Sequence, residues 1–207
     1  MAPLKVLLFI TTHLSALHLR YMRTCWPALV QTVPLIGNSD VLFYSTGPSP
    51  IAFKNLFKGN FSEIIRPNPG YQQGAIQALT DLKRFNWAAR YDWVVRLNPD
   101  VLIKNDSWFT PIMAEPRVSV IFASCYQSNC VNGCTQNLVH TDFMLFRPVA
   151  LKNSKTSTST NAERVATHLF SNEIAARKDR WVPHTRQNGQ CRIQHRDVIH
   201  NHNHVCN

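Results

Sequence analysis

The stretch Tyr91-Asp92-Trp93-Val94-Val95-Arg96-Leu97-Asn98-Pro99-Asp100-Val101 decides how this chain folds. Trp93, Val94, Val95 and Leu97 give the nearly continuous apolar run of a strand covered on both faces, and Asn98-Pro99-Asp100 ends it with a residue that cannot donate to the ladder. Strands buried on both sides belong to mainly parallel α/β sheets, which bind their ligands outside the carboxyl ends of the strands. Asp100 is expected at that end, exposed, where its carboxylate can hold a hard divalent cation against a phosphate. The plainer account of the same residues is a turn that uses Asn-Pro-Asp only for its backbone preferences.

Working outward, the pattern of strand followed by helix repeats. Residues 5–10 predict a first parallel strand ending in Thr11-Thr12-His13, and residues 14–30 predict helical material broken near Pro27. Residues 40–44 and 61–65 predict further strands, and a helix is expected over 72–90, with Ala75, Leu79, Leu82, Phe85 and Ala89 on its core face. Strands are expected over 118–123 and 137–148, an exposed loop over 152–161 and a helix over 162–177, before a polar tail rich in His and Arg. No internal repeat or linker interrupts this, so the fold class is α/β, a single domain with a mainly parallel central sheet flanked by helices.

At 207 residues the chain can bury a substantial core, and 44% hydrophobic with 16% charged residues is an ordinary globular composition. A formal net charge of +10 asks for an anionic partner. Arg and Lys are spread along the chain rather than gathered with aromatics, so a diphosphate in a basic cleft is expected rather than nucleic acid. The apolar run at 4–10 is too short for a membrane span and lacks a cleavage pattern, which predicts a soluble, unprocessed, cytoplasmic chain. Cys125, Cys130 and Cys134 are close enough to suggest a metal knuckle but lack the two-residue spacing of zinc ribbons, so reduced thiols are expected for these three and for Cys25, Cys191 and Cys206, with a local disulfide or zinc site as the alternative.

Arg96-Leu97-Asn98-Pro99-Asp100-Val101 resembles the Asp-X-Asp motif of nucleotide-diphosphate-sugar glycosyltransferases of the GT-A type, with Asn98 in place of the first aspartate. Other stretches resemble the same family in the same order. Thr11, Thr12 and His13 would meet the base and ribose, and the turn into a helix at 70–74, with Gln73 and Gly74, looks like the second wall of that pocket. The segment 139–148 resembles the strand that brings a carboxylate, here Asp142, to the acceptor side. The stretch 198–204 supplies candidates for the histidine that completes the metal shell. The nearest resemblance is to the capsid-protein glycosyltransferases of the large chlorella viruses.

That resemblance implies a Rossmann-like GT-A domain over residues 1–207, alone or within a longer polypeptide. It also implies a UDP-sugar donor carrying a hexose or deoxyhexose, and a glycan acceptor on a glycoprotein such as a viral capsid protein in the host cytoplasm. The implied cofactor is Mn2+ or Mg2+, held by Asp100 with His200 and His202. Asn98 would orient a metal-bound water or the ribose, and Arg186 and Arg192 would add positive charge to the leaving group. Asp142 would act as general base if the anomeric centre inverts, or orient the acceptor if it is retained.

Each residue also has a structural account. His200, His202 and His204 share one face of an extended segment by the period of two, yet a solvated tail has the same pattern. Asp142 can bond a neighbouring backbone, Gln73 and Gly74 can simply start a helix, and a lone histidine such as His13 is more often structural. Two rival functions remain. A metal-dependent nuclease or phosphoesterase needs more acidic ligands than Asp100 and Asp142 supply, and a non-catalytic glycan-binding module needs no acid at a strand end.

Overall fold

The computed structural model describes residues 4–126, 137–154, 157–182, 193–200 and 206. The first strand, β1 (Val6–Thr12), is buried from Leu7 to Thr11 and runs two residues further than its apolar pattern. Ser15 Oγ accepts from the His18 amide and caps α1 (Ala16–Thr24). Pro27 lies in the first turn of α2 (Trp26–Thr32), where its missing N–H costs nothing, so the helical stretch is two helices that meet at Cys25. There follow α3 (Pro34–Gly37), β2 (Asp40–Ser45), α4 (Ile51–Lys54) and β3 (Phe61–Ile65).

The long helix is α5 (Tyr71–Arg84), shorter than expected. Asn86 at φ 53° turns the chain away, and Phe85 is exposed, stacked on Trp87 at 5.1 Å, instead of facing the core. Ala78, Leu79 and Leu82 carry the buried stripe, while Ala75 is half-buried and Ala89 exposed. After it come β4 (Trp93–Leu97), β5 (Val101–Ile103), α6 (Phe109–Ala114), β6 (Val120–Tyr126), β7 (Asn137–Phe146) and α7 (Pro148–Lys152). The helix expected over 162–177 is α8 (Ala162–Leu169) followed by α9 (Ser171–Ala175), and the tail contains β8 (Asp179–Val182), β9 (Gln194–His195) and β10 (Val198–His200).

Seven strands form the central sheet in the order β3-β2-β1-β4-β7-β6-β8. All pair parallel except around β7, which runs antiparallel to both β4 and β6. Each face is covered. Tyr21, Trp26, Val30 and Phe53 from the early helices, with Phe109 and Met113 of α6, pack beneath Leu8, Ile10, Val95 and Leu97. Leu79 and Leu82 of α5 and Val165, Ala166 and Leu169 of α8 pack on Phe9, Val94, Met144 and Phe146. The expectation of a mainly parallel sheet between helical layers therefore holds.

Two features fix the turn after β4. Trp26, fully buried, donates its Nε1–H to Pro99 O at 2.8 Å, which ties the Asn-Pro-Asp turn to α2. A second sheet, β5-β10-β9, is antiparallel, with His200 opposite Val101. This register sets His200 beside Asp100, one residue before β5. Cys25 and Cys206 form a disulfide across 181 positions, contrary to the reduced thiols expected from sequence. No helix among the described residues is long and apolar enough to cross a membrane.

Candidate active site

The carboxyl ends of β1 and β4 open into a cavity of about 310 Å3, whose other walls are the β3–α5 turn, the first turns of α5 and the start of α8. Asp100 lies at its closed end, 3% exposed rather than the exposed strand-end residue expected, because α1 and β10 close over the turn. His18 Nε2 stands 3.4 Å from Asp100 Oδ1, and His200 Nε2 stands 3.8 Å from Asp100 Oδ2. The His18 ring is held from its other side, with Nδ1 2.8 Å from Thr12 Oγ1.

Asn98 occupies the place where the resembled motif has an acid, and the structure supplies a reason for the amide. Thr11 Oγ1 donates to Asn98 Oδ1 at 2.7 Å, and Asn98 Nδ2 donates to Asp142 Oδ1 at 2.7 Å. An aspartate there could accept from Thr11 but would set a second carboxylate against Asp142. The Asn98 amide N–H also bonds Asp142 O, so side chain and backbone together lock β7 to the turn.

Asp142 lies on the same side as Asp100, beside His200, rather than apart from it as the sequence suggested. Its Oδ2 lies 3.8 Å from His200 Nε2, and His140, Asp142 and His200 present ligand atoms all within 4.8 Å of one another. His140 and His200 meet edge to face at 4.9 Å. Two carboxylates and two imidazoles thus share one buried corner. This donor set fits a Mn-like divalent cation, which takes oxygen and imidazole ligands and offsets the cost of burying two acids together.

Electrostatics mark the rim as well. The Tyr71 phenol at the start of α5 is pushed up to about 12, first by the Asp142 charge, then by burial, Asp100 and Glu163. Partial burial and the neighbouring His18 ring, 4.9 Å away, push the His13 imidazole down against the pull of Asp100 and Asp142. Arg66 lines the opposite wall, its Nε 3.4 Å from Asp81 Oδ2, and Tyr44 donates to the same oxygen at 2.8 Å.

Of the residues singled out from sequence, the cavity brings together Thr11, Thr12, His13, Gly74, Asn98, Asp100 and Asp142. His200 joins them through Asp100 and Asp142. Gln73 does not: it is exposed, and Gln72 and Gln77 line the cavity in its place. One step along a helix turns a side chain by about 100°, so the right turn was chosen with the wrong face. Gln72 Oε1 accepts from the Ala162 amide and so joins α5 to α8. Arg186, Arg192 and His202 lie outside the described residues.

Sequence reasoning missed His18, His140, Arg66 and Arg96. His140 was legible, since it shares a strand face with Asp142 two residues on. So was Arg96, a lone charge inside an apolar strand. His18 and Arg66 carry no comparable signal.

No protein-family model matches the chain, and no curated protein is similar to it in sequence. Solved structures are. Core-mannan synthase A of Aspergillus fumigatus, in its Mn/GDP form, superposes with a TM-score of 0.52 at 12% identity over 87% of this chain and 73% of that one. Glucosyl-3-phosphoglycerate synthase of Mycobacterium tuberculosis, with Mn2+, UDP-glucose and phosphoglyceric acid, gives 0.51 at 10% identity over 90% and 74%. The architecture is therefore that of the GT-A glycosyltransferases. At these identities the likeness carries the fold and not the chemistry.

Proposed function

We propose that this chain is a metal-dependent glycosyltransferase that moves a hexose or deoxyhexose from a UDP-sugar to a hydroxyl of a glycan acceptor. The observation that carries this reading is the buried corner where Asp100, Asp142 and His200 converge at the strand ends of a GT-A sheet. Mn2+ or Mg2+, held by Asp100 and His200 with His140 in reach, would supply positive charge to the diphosphate as it leaves. Mn2+ in the two superposed enzymes supports that choice.

The remaining chemistry belongs to the chain's own groups. Thr11, Thr12, His13 and Gly74 line the part of the cavity assigned to the nucleotide. In an inverting transfer Asp142 takes the proton of the acceptor hydroxyl, whose oxygen bonds to the anomeric carbon as the bond to the diphosphate oxygen breaks and its electron pair leaves with UDP. Asn98 and Thr11 hold the Asp142 carboxylate in place for this step. A glycoprotein-borne acceptor, such as a viral capsid protein, completes this reading, with the domain acting alone or within a longer polypeptide.

Calorimetric titration of UDP, UDP-glucose and a short oligonucleotide, each with and without Mn2+, tests the reading. UDP and UDP-glucose are expected to bind only with Mn2+, and the oligonucleotide to be neither bound at the site nor cut. Mn2+-dependent cleavage of the oligonucleotide would transfer the corner to a nuclease. A glycan ligand that binds equally well without metal, while UDP does not bind at all, would make the chain a carbohydrate-binding module.

A further inference from the structure

Arg96 is the one charged residue of β4, two positions before Asn98 on the strand, and only 1% exposed. It nevertheless lines the cavity, along with Asn98, Thr141 and Asp142. Its Nε and Nη1 have no hydrogen-bond partner among the described residues. A guanidinium has five N–H groups, all donors, and leaving them unmet in a closed site is costly. A cavity wall built this way is suited to a ligand that brings acceptor atoms.

The surrounding charge decides which acceptors. Burial pulls the Arg96 guanidinium down to about 10, while Asp142 and then Glu163 hold it up, so it is a cation at any working pH. One positive charge faces two carboxylates, and Thr141 Oγ1 hydrogen-bonds Glu163 Oε1 at 3.1 Å to fix one of them. The carboxylate of a sugar acid would add a third negative charge to this corner and, unlike a hydroxyl, can only accept. A neutral hydroxyl accepts from the guanidinium and donates onward to a carboxylate, which uses both kinds of group at once.

Resting on the glycosyltransferase reading, we propose that Arg96 is a specificity-determining residue for the transferred sugar. It donates to a ring hydroxyl of the donor, and the site thereby takes a neutral hexose in preference to a uronic acid. An acceptor hydroxyl has the same chemistry, so the test uses donors alone.

The experiment measures Mn2+-dependent affinity for UDP, UDP-glucose, UDP-galactose and UDP-glucuronate by calorimetry, without acceptor, in the natural chain and in R96M and R96K. The natural chain is expected to bind the better UDP-hexose roughly 10- to 100-fold tighter than UDP-glucuronate, the scale of one hydrogen bond to a charged group. R96M should lose that much affinity for the hexose donor while its affinity for UDP moves by less than about threefold. R96K keeps the charge without the planar fork and should fall between them, which also preserves the test if R96M does not fold.

A preference for UDP-glucuronate overturns the proposal. So does an arginine variant that binds UDP-hexose like the natural chain, or one that loses UDP and UDP-hexose equally. If the natural chain fails to bind UDP at all, the glycosyltransferase reading falls and takes this one with it. Normal UDP binding with no dependence on Arg96 defeats this proposal alone.

Discussion

Asp100→Ala is expected to remove Mn2+-dependent binding of UDP and UDP-sugars, with a loss of at least ~100-fold, since even outer-shell partners of metal ligands are worth about 10- to 100-fold. The fold should survive. The turn is anchored by Trp26 to Pro99 O and by β5 pairing with β10, neither of which uses the Asp100 carboxylate. Asp100→Asn keeps the volume of this buried side chain and separates the loss of charge from the loss of packing. Circular dichroism checks the fold and calorimetry reads the affinity. Unchanged metal-dependent affinity in both variants would remove Asp100 from the site.

Asp142→Asn should leave the donor bound and stop the reaction. The amide keeps the size of the carboxylate and can still accept from Asn98 Nδ2, but it has neither charge nor basicity. Turnover with an acceptor is then expected to fall ~100- to 10,000-fold, as for loss of a general base, with UDP-sugar affinity little changed. The geometry gives this measurement a second use. Asp142 Oδ2 is as near to His200 as Asp100 Oδ2 is, at 3.8 Å in each case. Loss of donor binding with normal transfer per bound donor would place Asp142 in the metal shell beside His140 and His200, and the base would have to be sought elsewhere.

The legible part of this molecule was the part written in consecutive residues. The apolar run through Trp93 and Leu97 placed β4, and the turn after it placed Asp100. The period of two put His200 among the candidates without deciding between a strand and a solvated tail. What was not legible depends on residues brought together across the fold. Asn98 looked like a weakened metal ligand until Thr11 and Asp142 appeared on either side of its amide. The short strands β5 and β10 have too few residues to show a pattern, and β10 finds its partners only in the fold, with β5 on one side and β9 on the other. The end of α5 was misplaced because Phe85 and Ala89 continue the apolar spacing, whereas Asn86 takes a left-handed backbone that ends the helix.

The link between Cys25 and Cys206 turns nearly the whole chain into a ring. Its closure lies a short segment beyond His200, which is otherwise kept at the site by the pairing of β10 with β5 and β9. Edge segments of that size open on their own in many proteins, well before the rest unfolds. Closing the ring raises the effective concentration of the His200 imidazole at Asp100, as a tether does for a second binding module. An opened strand then returns to its place instead of drifting into solvent. Such a link persists where thiols are kept oxidised. The thiol balance around the protein therefore bears on how firmly His200 is kept beside Asp100, the pair that the proposed cation would need.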